Sequence, residues 1–233
     1  MTVSNTPPQY VDSFDEEYDV VVVGFGYAGG AAAIAAHDGG AKTLLIEKMP
    51  MAGGISICAG GGVRLAVERD PVVEHLWETN DGTTPRAIIE AFVDEMMLLD
   101  DYLEDLCKIN DATTITIEGR GANYPFTGFD QMKFVEVDNV PGADMLKEYP
   151  HARSHRNGTK LFKVVDDNVK SRGIEVRLAT PARRLITQNT NEVRGLWVEG
   201  PDGLKSIKAN KGVILACGGF EAAPDMQRQL WQN

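Results

Sequence analysis

The chain has 233 residues, of which 34 are Asp or Glu and 23 are Lys or Arg, so its net charge is −11. An acidic surface repels phosphate groups, so we expect neither nucleic acid nor an anionic membrane face as a partner. A composition of 43% hydrophobic and 24% charged residues excludes disorder for most of the chain. No stretch reaches the roughly 18 uninterrupted apolar residues that a membrane span needs.

The N-terminal residues, MTVSNTPPQYVDSFDEEYDV, are polar and acidic, without the basic and apolar regions of a secretory signal. They predict a cytoplasmic protein in which residues 1–17 are a flexible lead-in to a domain covering 18–233. The three cysteines, Cys58, Cys107 and Cys217, are far apart and show no metal-ligand spacing. We therefore expect no metal site and no disulfide framework, but three reduced and mostly buried thiols.

The first predicted elements form a strand–helix–strand unit of about 30 residues. Tyr18–Val23 is a β-branched run typical of a buried strand, Ala28–His37 is a helix of small residues, and Thr43–Glu47 is a second buried strand. Met49–Gly62 contains too many glycines for a regular element and too many apolar residues for a solvated linker. We predict a structured loop there.

The remaining predicted elements alternate between helices and strands. Arg86–Cys107 has apolar residues near helical spacing and is predicted as one long helix. Lys133–Val137 is predicted as a short strand, Thr159–Lys170 as a helix and Ile174–Leu178 as a strand.

The last part of the chain predicts a β-meander followed by a buried strand. Three alternating segments are separated by the turn sequences NTNE and PDG: Arg184–Thr187, Val193–Glu199 and Lys205–Ala209. Gly212–Cys217 is a continuous apolar run and predicts a separate, buried strand.

A glycine motif, G-x-G-x-x-G, spans residues 24–29 between the first strand and the first helix. Gly24 permits a sharp turn, Gly26 lets a pyrophosphate approach the backbone, and Gly29 lets the helix lie close to the sheet. The helix that begins with Tyr27 and Ala28 offers free N–H groups and a partial positive charge to phosphates.

An acidic residue, Glu47, ends the second strand, where it can accept hydrogen bonds from ribose hydroxyls. The motif alone is weak and also fits a glycine-rich turn that binds nothing. The strand, helix, second strand and Glu47 together predict an α/β fold of the Rossmann type, with a parallel central sheet plus a β-meander. They leave FAD and NAD as alternatives, because both share the fingerprint.

A second glycine cluster follows Glu47 directly, where an NAD domain normally continues into a helix. It resembles the E-K-x-x-x-x-G-G-x-S and S/A-G-G-G segments of the family of fumarate reductase and succinate dehydrogenase flavoproteins, 3-ketosteroid dehydrogenases and urocanate reductases. The matching residues are Glu47, Lys48, Gly53, Gly54, Ser56, Ala59, Gly60, Gly61 and Gly62.

Two later blocks are similar to the same family. Gly158 with the following helix, and the segments 173–178 and 180–185, resemble the strand and turn that meet the adenine, a role that the resemblance gives to Ala182. The segment 212–220 resembles the family's A-T-G-G-F strand, which implies cofactor contacts for Ala216, Cys217 and Gly218. Cys217 replaces the usual threonine.

The resemblance implies a FAD-dependent oxidoreductase that moves a hydride between flavin N5 and a carbon of a small molecule, beside a position activated by a carbonyl or carboxylate group. FAD is expected to be non-covalent, because residues 48–63 contain no histidine to tether it. In the family a capping domain follows the A-T-G-G-F strand, so we expect the cap to be absent from this chain and the FAD-binding domain to be incomplete at its C-terminal side. The catalytic groups lie mostly in those later parts, so no catalytic residue is assigned.

Several alternatives stay open at this point. The chain could be a non-catalytic FAD-binding subunit or a truncated pseudoenzyme, or belong to another FAD oxidoreductase of the aspartate oxidase kind. The active site would be completed by a missing C-terminal half or by a second polypeptide. Two histidines and two arginines at 151–156 form either an anion-binding loop or a solvated basic loop, and Tyr124 and Phe126 either line a substrate pocket or make a core contact.

Overall fold

The structure is a computed structural model that describes residues 6–118, 124–152, 157–187, 192–221 and 223–230. The strands within these ranges are β1 (Glu16–Val23), β2 (Thr43–Ile46), β3 (Val63–Ala66), β4 (Thr113–Ile117), β5 (Met132–Asn139), β6 (Glu175–Arg177), β7 (Ala182–Thr187), β8 (Val193–Gly200) and β9 (Gly203–Leu215). The helices are α1 (Tyr27–Asp38), α2 (Arg69–Asn80), α3 (Arg86–Met96), α4 (Leu99–Cys107), α5 (Met145–Glu148), α6 (Asn157–Ser171) and α7 (Pro224–Leu230), with a short 3₁₀ helix at Ser56–Cys58. None of the helices in these ranges is long and apolar enough to cross a membrane.

The chain divides into two compact units. The first unit takes the residues up to Ile55 and those from Val169 onward, so two distant stretches of sequence build it. The second unit takes the continuous stretch Ser56–Asn168. The assignment of residues 18–233 to one domain stays a prediction.

The first unit is built on a six-stranded sheet with the order β6-β2-β1-β9-β8-β7. The first four strands are parallel, and β9, β8 and β7 form an antiparallel meander. Helix α1 connects the parallel strands β1 and β2, so the predicted strand–helix–strand unit is confirmed. The core of this unit consists of side chains from both parts of the sheet: Tyr18, Val21, Val23, Leu44, Ile46, Leu196, Val198, Ile207 and Ala209. The predicted α/β fold with a parallel central sheet and a meander is therefore confirmed.

Strand β9 corrects the prediction of two separate strands at Lys205–Ala209 and Gly212–Cys217. It is one strand of 13 residues, whose first part pairs with β8 in antiparallel fashion and whose later part pairs with β1 in parallel fashion. The predicted burial of the second run is also wrong, because Ile214 and Leu215 are 38% and 61% exposed. An apolar run in a strand thus does not by itself establish that both faces are covered.

The described part of the N-terminal lead-in lies along the meander. Thr187 donates its backbone N–H to the carbonyl of Gln9 (3.0 Å), and the indole of Trp197 donates to the carbonyl of Pro8 (2.8 Å). The flexibility predicted for residues 1–17 stays a prediction. A flexible lead-in would have to break these two hydrogen bonds.

The second unit contains a three-stranded antiparallel sheet with the order β3-β5-β4. Strand β5 contains the predicted strand Lys133–Val137, and α6 contains the predicted helix Thr159–Lys170. Strands β3 and β4 and helix α2 were not predicted. The core beneath the sheet consists of Ala66, Val72, Val73, Ile89, Val93, Met96 and Met132.

The predicted single helix Arg86–Cys107 is instead two helices, α3 and α4, interrupted at Met97 and Leu98. The break comes from a tighter turn, since the N–H of Leu98 bonds to the carbonyl of Glu95, three residues back, rather than four. The buried residues keep a helical spacing across the break, because Met96, the last buried residue of α3, is followed in register by Leu103, the first buried residue of α4. The spacing of apolar residues therefore could not reveal the break.

The cysteines differ from the prediction in their burial. All three are free, but Cys58 and Cys217 are exposed and only Cys107 is buried. Cys58 lies in the short 3₁₀ helix and Cys217 lies beyond the end of β9, so both belong to loops rather than to the packed core. Burial raises the pKa of the Cys107 thiol to about 11, with a further contribution from Glu104.

Candidate functional site

The turn after β1 has space for no side chain at two of its glycines. Gly24 has a φ of +103°, and a Cβ atom there would lie 2.4 Å from the carbonyl oxygen of Ala216. A Cβ atom at Gly29 would lie 1.7 Å from the carbonyl oxygen of Gly24. Both contacts are with backbone, which cannot move aside cheaply. The turn therefore requires glycine at these positions, as the motif predicts for a close turn and close helix packing.

The N-terminus of α1 has no side-chain cap. Gly26 is the N-cap residue, and the first turn of this described helix contains no acidic residue. An uncapped N-terminus offers N–H groups and the positive end of the helix dipole, which suits a phosphate. Of the first helical residues, Tyr27 is half-buried and Ala28 is exposed, and burial raises the pKa of Tyr27.

The carboxylate of Glu47 ties the glycine turn to the segment after β2. Glu47 is 7% exposed. Its Oε2 atom accepts from the N–H of Phe25 (2.9 Å), and its Oε1 atom accepts from the N–H of Met49 (2.8 Å). A carboxylate oxygen has two lone pairs, so each still has capacity for a hydroxyl donor such as that of a ribose. Lys48, which lies between Glu47 and Met49 in the sequence, is exposed.

The start of the second glycine cluster is bonded to the same turn. The N–H of Gly53 donates to the carbonyl of Phe25 (2.7 Å), and Gly53 has a φ of +110°. Gly54 follows with a φ of +49° and open space where a Cβ atom would be. The left-handed conformation at both positions explains the adjacent glycines and directs the chain from the turn into the loop.

The segment before β7 lies beside Glu47. Thr180 donates its N–H to the carbonyl of Glu47 (2.8 Å), and Ala179 donates to the carbonyl of Met49 (2.9 Å). Ala179 is in the left-handed conformation, with a φ of +48°. Ala182, the position with an implied adenine contact, begins β7 two residues after Thr180 and is half-buried. The structure thus brings the segment with the implied adenine contact beside the backbone of Glu47.

The segment after β9 closes the other side of the turn. The N–H of Ala216 donates to the carbonyl of Val23 (2.8 Å), and the Cys217 thiol lies 3.7 Å from the same oxygen. Gly218 has a φ of +77°. The thiol of Cys217 is a weak donor and makes a long contact with the backbone of β1.

The other five predicted cofactor residues belong to the second unit: Ser56, Ala59, Gly60, Gly61 and Gly62. Three of them, Ser56, Ala59 and Gly61, lie against the beginning of α6. A Cβ atom at Gly61, which has a φ of +82°, would lie 2.3 Å from the carbonyl carbon of Asn157. A Cβ atom at Gly158 would lie 2.4 Å from the carbonyl oxygen of Ala59 and 2.7 Å from that of Ser56. Glycines on both sides make this approach of loop and helix sterically allowed.

Some contributors to this geometry were not singled out from the sequence. Phe25 is 2% exposed. Its backbone N–H donates to the Glu47 carboxylate, and its carbonyl accepts from the N–H of Gly53. Ala179 and Asn157 likewise act through backbone atoms. Any residue type supplies such atoms, so the sequence carries no signal for them.

The remaining sequence candidates separate into described and undescribed residues. Tyr124 and Phe126 are 61% and 41% exposed, and the Phe126 ring lies edge-on to buried His75 with the ring centres 6.2 Å apart. The choice between a substrate pocket and a core contact stays a prediction. His151 is half-buried, while Arg153, His155 and Arg156 lie outside the described residues. Throughout the described ranges, no group of three or more His, Cys, Asp or Glu side chains is placed to hold a metal ion.

The geometry of the turn and of Glu47 fits a dinucleotide, and comparisons with known proteins agree. The family described as "FAD binding domain" matches residues 19–232. A 3-oxosteroid 1-dehydrogenase from Mycolicibacterium smegmatis is 52% identical over an alignment 276 positions long, which covers 91% of this chain and 48% of that protein. A fumarate reductase (cytochrome) from Shewanella frigidimarina is 28% identical over 205 residues, which cover 87% of this chain and 33% of that protein.

The fold has solved counterparts. The crystal structure of a 3-ketosteroid Δ1-dehydrogenase from Sterolibacterium denitrificans, in complex with 1,4-androstadiene-3,17-dione, matches with a TM-score of 0.77 at 20% identity. The match covers 92% of this chain and 50% of that one. This chain therefore spans about a third to a half of the relatives it matches. The match over residues 19–232 shows that the chain belongs to the FAD binding domain family, with fumarate reductases and 3-oxosteroid 1-dehydrogenases as relatives and FAD as cofactor.

Proposed function

We propose that this chain is the FAD-binding part of an oxidoreductase that acts on carbon–carbon bonds. Bound FAD supplies hydride chemistry at flavin N5, with a substrate carbon beside a carbonyl- or carboxylate-activated position as the partner. The observation that carries the proposal is the buried Glu47 carboxylate held between two backbone N–H groups beside an uncapped helix N-terminus. The family match and the fumarate reductase and 3-oxosteroid 1-dehydrogenase relatives support it.

The chain's own residues have binding and orienting roles in this proposal. The N–H groups at the start of α1 receive the pyrophosphate, and Glu47 accepts the ribose hydroxyls. The Gly53–Gly54 backbone, bonded to Phe25, directs the following loop. The cofactor is held without a covalent bond, since residues 48–63 contain no histidine.

The group that transfers the substrate's proton is assigned to no residue of this chain. The chain spans about a third to a half of its relatives, which supports a site completed by a further segment or by a second polypeptide. A general acid or base positioned there would complete the reaction. The substrate is a small molecule in either case.

The test is purification followed by turnover with three acceptors. We expect the isolated protein to show the visible absorbance of flavin, and acid precipitation to release all of that flavin into solution. A preparation that also contains the completing segment or second polypeptide should then oxidise a reduced dye, without oxygen, in the presence of fumarate, urocanate or a steroid enone. Flavin without turnover of any acceptor would contradict the proposal in favour of a non-catalytic subunit. Oxygen-dependent oxidation of L-aspartate alone would favour an aspartate oxidase-like enzyme.

A further inference from the structure

Two side chains of the meander bind the backbone of consecutive prolines near the start of the chain. The guanidinium of Arg184 donates to the carbonyl of Pro7 (2.9 Å), and the indole of Trp197 donates to the carbonyl of Pro8 (2.8 Å). Arg184 and Trp197 are direct cross-strand partners on β7 and β8, so their side chains lie on one face of the sheet. That face therefore supplies a separate donor for each of the two carbonyls.

Gln9 continues the same row of contacts along β7. Its carbonyl accepts from the N–H of Thr187 (3.0 Å), and its side-chain amide donates to the Thr187 hydroxyl (2.7 Å). Its Oε1 atom also accepts from the Arg184 guanidinium (3.4 Å). We call Arg184, Thr187 and Trp197 the docking face. It bonds to three consecutive residues, through backbone and side-chain atoms alike.

The two prolines give this segment its shape before it binds. A proline ring fixes φ near about −65°, and a residue that precedes a proline favours an extended or polyproline II conformation. Pro7 is buried and Pro8 is exposed, so the protein covers one of the two rings. Protein surfaces that recognise such segments combine aromatic side chains with a ligand of low conformational entropy. The contacts of residues 7–9 therefore have the character of a bound peptide.

A short tether holds this peptide beside its site. Residues 10–15 connect it to β1, and the end of the tether is fixed, since the N–H of Ser206 donates to the Asp15 carboxylate (2.8 Å). A short linker gives a tethered ligand an effective concentration on the order of millimolar. Residues 7–9 can thus occupy the docking face even when their own affinity for it is modest.

We propose that the docking face is a binding site for the Pro-Pro-Gln segment as a separable ligand, and that a second copy of this chain can supply it. Residues 7–9 of the same chain are then an intramolecular ligand that the incoming segment displaces. Exchange of an identical element is a low-cost route to a dimer, and a short hinge such as residues 10–15 favours it. This inference is independent of the proposed oxidoreductase function, because the docking face contains no residue predicted to bind FAD.

The first experiment measures binding of a fluorescent peptide with the sequence of residues 6–11, TPPQYV, by fluorescence anisotropy. The full-length chain is compared with a released variant, in which Pro7→Gly and Gln9→Ala loosen the chain's own segment. We expect the released variant to bind the peptide about tenfold or more tightly than the unmodified chain, because a tethered competitor no longer occupies the face. Circular dichroism verifies that each variant is folded.

Further substitutions in the released variant locate the bound peptide. Trp197→Phe removes the indole N–H, and we expect it to weaken peptide binding about tenfold. Trp77→Phe is the matched control, since Trp77 is also half-buried but belongs to the second unit, and it should leave the affinity unchanged. A peptide with both prolines replaced by alanine should bind more weakly than TPPQYV, because it loses more conformational freedom on binding.

The second experiment mixes two chains that are each impaired in binding their own segment. One is the released variant, which keeps the docking face, and the other carries Trp197→Phe alone and keeps residues 7–9. The protein concentration is set above the dissociation constant measured for the peptide. Light scattering should then show an increase in mass on mixing that neither chain shows by itself.

Each part of the inference has a result that would overturn it. Equal peptide affinity of the unmodified chain and the released variant would show that residues 7–9 do not compete for the face. Unchanged affinity after Trp197→Phe would show that the peptide binds elsewhere, and Arg184→Gln replaces this variant if it does not fold. Equal binding of the alanine peptide would contradict recognition of proline. No increase in mass on mixing would contradict exchange between copies.

Discussion

The glycine turn of the first unit and the glycine loop of the second use the same residue type for different purposes. At Gly24 and Gly29 the missing side chains let backbone segments meet beside a buried carboxylate. The missing side chain at Gly61 admits the beginning of α6. The missing side chain at Gly62 leaves room for the ring of Phe134, which also contacts the guanidinium of Arg64. The first region presents backbone atoms suited to the constant part of a dinucleotide. In the second region the glycines make room for side chains as well as for backbone.

The largest expected effect comes from closing the turn of the first unit. Gly29→Ala would place a Cβ atom 1.7 Å from the Gly24 carbonyl oxygen, so the turn must move. We expect a loss of about 3 kcal/mol or more in the free energy of unfolding, with loss of bound flavin. Denaturant unfolding and the flavin-to-protein absorbance ratio measure both.

The control for this change is Gly212→Ala in the same unit, where no heavy atom lies within 4 Å of the added Cβ. It should cost little in stability. If Gly29→Ala unfolds at the same denaturant concentration as Gly212→Ala, the turn does not require glycine.

A smaller effect is expected in the second unit, from a pair of neighbouring positions. Gly61→Ala would bring a Cβ atom within 2.3 Å of the Asn157 backbone at a positive φ, whereas Gly60→Ala meets nothing within 4 Å. We expect Gly61→Ala to lower the free energy of unfolding by about 2–3 kcal/mol and Gly60→Ala to have little effect on it. Equal stabilities of the two variants would show that the loop does not pack against α6 as described.

The smallest expected effect comes from replacing the Glu47 carboxylate in the first unit. Glu47→Gln replaces two charged acceptors with one neutral oxygen, so the N–H group of either Phe25 or Met49 loses its acceptor. We expect a loss of about 1.5 kcal/mol in stability and about a tenfold weaker affinity for FAD, measured by flavin fluorescence. Glu199→Gln, which removes an exposed ion pair with Arg183, is the control. Unchanged FAD affinity in Glu47→Gln would remove Glu47 from the cofactor site.

The glycine turn of the first unit could be predicted from the sequence more fully than the glycine loop of the second unit. The G-x-G-x-x-G turn and Glu47 could be predicted because each residue type there satisfies a steric or electrostatic requirement of its own. The contact of Arg64 with Phe134 could not be predicted, because one arginine in a strand carries no signal until its partners are known. The break between α3 and α4 was also missed, since the apolar spacing continues from Met96 to Leu103 across it. Strand β9 was predicted as two strands, because the sequence does not show that a strand changes partner along its length. The cofactor roles of the individual residues stay predictions.

The pairing of β1 with β9 has a consequence for how the chain folds. Glu16 lies opposite Ile207 and Val23 opposite Leu215, so almost the whole described chain separates the two central strands of the sheet. The second unit, Ser56–Asn168, is continuous and lies between them in sequence. During synthesis it can therefore fold while β1 still lacks its neighbour β9, and the glycine turn can pack against the segment after β9 only when that strand has left the ribosome. Contacts of such high sequence separation also slow folding, since a long loop must close before they form. FAD capture is thus expected to be a late event, following the folding of the inserted unit.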